Sequence, residues 1–113
     1  MPAAYDSELE RLLDQARELL GAGDDALLVE ANSTVNQALQ LNPDSIEAWL
    51  LKCQVASAAG DDLAALAAVE MALHRAPHRA EALYWRGAVL GDLGRYREAL
   101  RAIARNQKSR LVP

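Results

Sequence analysis

His74 and His78 stand four residues apart, the spacing at which two imidazoles on one helical turn can share a metal ion. Pro77 falls between them, so the helix is expected to end there and the two rings to diverge. They read as solvent-exposed loop histidines. Asp24 and Asp25 are adjacent carboxylates, a pairing that can do acid–base work. They follow Gly21-Ala22-Gly23, where a new helix should begin, and carboxylates are favoured at a helix start for reasons of capping and dipole alone. Cys53 is the only cysteine, so no disulfide can form within the chain. It has no nearby histidine and occupies a helix-packing position, which makes it a buried, inert thiol. Asn32-Ser33-Thr34 matches a glycosylation sequon, but mid-helix and with no secretory signal it is a chance match. No glycine-rich phosphate loop is present. The expectation is a non-catalytic chain without metal, cofactor or small-molecule substrate.

The elements that carry these residues are helices. Alanine and leucine dominate, phenylalanine is absent, and few β-branched or aromatic runs exist to seed a sheet. A chain of 113 residues fits one domain, spanning 1–113. The longest apolar run, 63–69, is far short of the ~20 residues of a membrane span. The N-terminus lacks the basic and apolar regions of a signal peptide, so a soluble cytoplasmic protein is expected. Ser7 with Glu10, and Asp44 with Glu47, have the spacing of capping boxes. Gly23, Gly60 and Gly94 mark turns, and Pro43 and Pro77 mark helix ends. Six helices follow, the fifth and sixth joined at Gly94-Arg95-Tyr96.

These marks recur. Pro43 and Pro77 are 34 residues apart, as are Glu47 and Glu81, Cys53 and Gly87, Gly60 and Gly94, Ala65 and Ala99, and Val69 and Ile103. Ala31, Val35 and Ala38 precede Ala65, Val69 and Ala72 by the same interval. A helix–turn–helix period of 34 is that of tetratricopeptide repeats, and the chain resembles that family over nearly its whole length. The repeats fall at about 9–45, 46–79 and 80–113, the third being closest to the family pattern. The first departs most: Gly23 to Ala31 spans eight residues where the others use five, placing an extra turn near Ala26-Leu27-Leu28. The resemblance implies an all-α, right-handed solenoid of three antiparallel hairpins. Small residues at Ala16, Cys53 and Gly87 would let paired helices approach, and Trp49 and Leu83 would fill the space between layers.

The resemblance also implies a protein or peptide partner held on a concave face made by the first helix of each hairpin. The residues expected there are Glu10, Leu13, Arg17 and Leu20; Glu47, Leu50, Gln54 and Ser57; and Glu81, Tyr84, Ala88 and Asp92. They include an acidic row (Glu10, Glu47, Glu81) beside an apolar one (Leu13, Leu50, Tyr84), which is either a set of solvated helix starts that suit the dipole or a surface suited to a segment with apolar anchors and basic flanks. The basic clamp with which family members hold acidic chaperone tails is missing. Its positions match Leu13, Arg17, Leu51, Glu81 and Trp85, of which only Arg17 is basic. Trp85 could either pack on a neighbouring helix or line the groove.

Charge divides along the chain. Residues 1–70 hold 13 acidic and 3 basic residues, whereas residues 71–113 hold 3 acidic and 9 basic. A homo-oligomer joined head-to-tail through these ends is the second expectation, with Leu27, Leu28, Arg97, Leu100, Arg101, Ile103 and Arg105 as its surface. The reading preferred for these arginines is the polar cap that a solenoid end needs. Nucleic acid is disfavoured, because no aromatics interleave with the arginines and the remaining surface is acidic.

Overall fold

The computed structural model describes the backbone of residues 4–111 and the side chains of residues 7–105. Among these residues the chain is all-α, with five helices: α1 (Ala4–Ala22), α2 (Asp25–Leu41), α3 (Ile46–Ala58), α4 (Asp62–Arg75) and α5 (Ala80–Leu111). Turns of two and three residues fold α1 against α2 and α3 against α4 as antiparallel pairs. Packing of α3 on both α1 and α2 stacks the second pair on the first, and α5 then lies against α3 and α4. The molecule is elongated, measuring 75 × 32 × 19 Å.

Single side chains start three of these helices. The Asp24 carboxylate accepts the Ala26 N–H at 2.9 Å, Ser45 Oγ accepts that of Ala48 at 3.2 Å, and Asp61 Oδ1 accepts that of Ala64 at 3.1 Å. Gly23 and Gly60, immediately before the two aspartates, take φ of +71° and +81°, a conformation open to glycine at no steric cost. Two expected capping boxes are corrected. Because α1 begins at Ala4, Ser7 lies inside the helix and caps nothing. At α3, Ser45 is the cap, while Asp44 accepts from Arg75 Nε at 3.0 Å.

Two apolar clusters hold the stack together. The first joins Leu12, Leu13 and Ala16 of α1, Ala31, Val35 and Ala38 of α2, and Ala48, Leu51 and Val55 of α3. The second joins Leu50, Cys53 and Ala56 of α3, Ala65, Ala68, Val69 and Ala72 of α4, and Ala82 and Val89 of α5. Helix α3 thus serves both clusters from different faces, which is why its sequence is apolar nearly all round. The 34-residue correspondence is visible as burial: Ala31, Val35 and Ala38 are 0% exposed, and so are Ala65, Val69 and Ala72. The extra turn of the first repeat appears as helix length, with 17 residues in α2 against 14 in α4. Trp49 is half-buried against the second cluster and donates its Nε1–H to Pro43 O at 2.7 Å.

The third hairpin does not form. The chain runs through Gly94 as one helix of 32 residues, so the expected fifth and sixth helices are a single element. A sequence difference that favours this lies one residue on. Gly23 and Gly60 are followed by capping aspartates, whereas Gly94 is followed by Arg95 and Tyr96, whose side chains offer no such acceptor. A glycine inside a helix costs about 1 kcal/mol. A turn here would leave the amides of a new helix start without a capping side chain, and the helix continues.

Candidate functional site

Helices α1, α3 and the first half of α5 lie side by side and form one wall of the molecule. The acidic row falls on it, but not as bare charge. Arg79 donates to Glu47, and its Nη2 lies 3.9 Å from Glu81 Oε2, so one guanidinium bridges two members of the row. Glu10 is exposed and forms no ion pair among the described residues. Arg17 is exposed and paired with Asp14 at 3.0 Å. A shallow cavity of about 280 Å³ lies between α1 and α3, lined by Glu10, Leu13, Asp14, Arg17 and Glu47.

The apolar row is corrected more strongly. Leu13 and Leu50 are 6% and 1% exposed, because each is taken into a cluster between helices and leaves only its edge toward the wall. Leu20 is half-buried against the first cluster. Only Tyr84 of this row is open, at 68% exposure, with its ring edge-on to Trp85 at 5.6 Å and 83°. Trp85 itself packs against the second cluster, which resolves its two sequence readings in favour of packing. Gln54, Ser57 and Asp92 are half-buried, while Ala88 and Glu81 are exposed.

Of the end-to-end surface, the N-terminal part is corrected. Leu28 is buried and Leu27 half-buried in the first turn of α2, with Leu28 lining a cavity beside Lys52 and Val55 of α3. Arg97, Leu100, Arg101, Ile103 and Arg105 are all exposed on the second half of α5. Sequence reasoning missed a cavity of about 460 Å³ between α2, α3 and α4, lined in part by Leu28, Val29, Asn32, Lys52 and Val55. Its sequence signal was the inserted turn itself, which leaves Val29 73% exposed at the rim.

The candidate chemical groups have ordinary roles. Asp24 caps α2. His74 is exposed in the last turn of α4, and His78 is exposed in the turn before α5. Among the described residues no three of histidine, cysteine, aspartate and glutamate gather as metal ligands would. Burial pushes the Cys53 thiol up to about 11, so very little thiolate exists near neutral pH. The hydrogen bond that Arg11 donates to Glu8 holds the Glu8 carboxyl below its usual range. Among the described residues no helix is long and apolar enough to cross a membrane. In comparisons with known proteins, no family model, no curated protein and no solved structure matches this chain.

Proposed function

We propose that the chain is a non-catalytic, tetratricopeptide-like interaction module of the cytoplasm, taking a segment of another protein along the wall of α1, α3 and α5. The observation that carries this reading is the wall's composition. Exposed Tyr84 on α5 shares the wall with half-buried Asp92, with Gln54 and Ser57 on α3, and with the exposed charges Glu10 and Arg17 on α1. A rigid aromatic anchor in a polar rim is the usual anatomy of a protein-binding surface. With Leu13 and Leu50 withdrawn into the core, Tyr84 supplies most of the apolar contact. The fitting segment is therefore extended, with one apolar anchor and basic groups able to reach Glu10 and Asp92.

Selection from a displayed library of random peptides tests this reading. Binders should carry an apolar residue flanked by lysine or arginine, and Tyr84→Ala should weaken them by roughly thirty-fold, the effect of one hot-spot truncation. Val29→Ser, on the side of α2 and α4, should leave them unchanged. Peptides indifferent to Tyr84→Ala would refute the reading.

A further inference from the structure

Residues 94–105 repeat, 34 positions on, the part of α4 that covers α3. In the second cluster, Ala65 and Val69 of α4 pack with Cys53 and Ala56 of α3, and Trp49 closes the side. Ala99 and Ile103 hold the places of Ala65 and Val69, while Leu83, Gly87 and Leu90 hold those of Trp49, Cys53 and Ala56. Every chain thus carries both a covering segment and the face it would cover. Neither meets its counterpart within the chain, although Arg95, Tyr96 and Ala99 line a shallow cavity beside Ser57 and Gly60. Leu83 is 48%, Leu90 41% and Ile103 55% exposed, and a Cβ built on Gly87 would meet nothing within 4 Å.

A straight helix cannot bring its own two halves together. At 3.6 residues per turn, the Leu83–Gly87–Leu90 face and the Ala99–Ile103 face point about 170° apart around α5. One straight neighbour cannot lie on both.

We propose that the Leu83–Gly87–Leu90 face is covered by a second copy of the chain, whose residues 95–105 dock there antiparallel, in the register that α4 takes on α3. Because the two faces are opposed, each copy receives from one neighbour and donates to another. The contact is heterologous, and growth continues beyond a dimer. The face lies apart from Tyr84 and does not depend on the peptide-binding reading.

Sedimentation velocity across a wide concentration range tests the proposal with two double variants. Leu83→Glu with Leu90→Glu removes the receiving face, and Ala99→Glu with Ile103→Glu removes the docking segment; all four residues are exposed, so α1–α4 should fold unchanged. The wild type should grow past dimer with concentration. Each variant alone should need at least thirty-fold more protein to associate, and an equimolar mixture should form a discrete heterodimer. In a Gly87→Cys, Ala99→Cys chain, oxidation should link different molecules, with buried Cys53 left out. A wild type that stays monomeric, a mixture that does not pair, or a disulfide formed only within one chain would each overturn the proposal. The last result would mean that the segment closes on its own chain.

Discussion

The α3–α4 pair and helix α5 carry nearly the same pattern of residues, 34 positions apart, and fold differently. Ala65 and Val69 are 0% exposed, whereas their counterparts Ala99 and Ile103 are exposed. Apolar spacing is common to both and so cannot be what decides. The difference lies in the turn, where Gly60 is followed by Asp61 and Gly94 by Arg95. A glycine permits reversal, but a new helix must also satisfy its first amides. Asp61 does so at 3.1 Å, and nothing at residue 95 can.

The largest test of this contrast is truncation of one leucine in each region. Leu50→Ala, at 1% exposure in the second cluster, should cost about 2–5 kcal/mol by urea denaturation. Leu100→Ala, at 65% exposure, should change stability by no more than about 0.5 kcal/mol. Equal effects would mean that the second half of α5 is as well covered as α3. Next in size is the cap itself. Asp61→Ala should cost about 1 kcal/mol, and the reciprocal Arg95→Asp should let the chain turn at Gly94. Small-angle scattering of dilute Arg95→Asp should then show a longest dimension well below the 75 Å of the straight form; an unchanged length would show that something besides the cap holds α5 open. The smallest effect concerns Cys53, whose counterpart in α5 is the open Gly87. The folded thiol titrates at about 11 against a reference of 9.0, so its contribution to stability is complete below pH 9 and is lost as pH rises toward 11. A maleimide at pH 7 should label it only at the rate of unfolding, and immediate labelling would contradict its burial.

Much of this fold was legible in the residues. The small-residue positions Ala16, Ala31, Cys53 and Ala65 announced tight helix pairs, and all four are fully buried. The insertion after Gly23 showed as one extra turn of α2. What misled was reading Gly94 by analogy with Gly60, since the deciding signal was a missing acceptor and not a present glycine. The surface was less legible. The resemblance implies Leu13 and Leu50 on the wall, but a stacked helix has neighbours on two sides, and which one claims a leucine depends on the angle between layers. Arg79 lies in the loop before α5, so no helical periodicity could have placed it between Glu47 and Glu81.

Because α3 lends side chains to both clusters, neither pair of helices has an interior of its own. While α4 is still being synthesised, one flank of α3 stays wet. The first four helices therefore gain their protection from exchange together, and the stretch of α5 past Leu93 stays outside that cooperative unit.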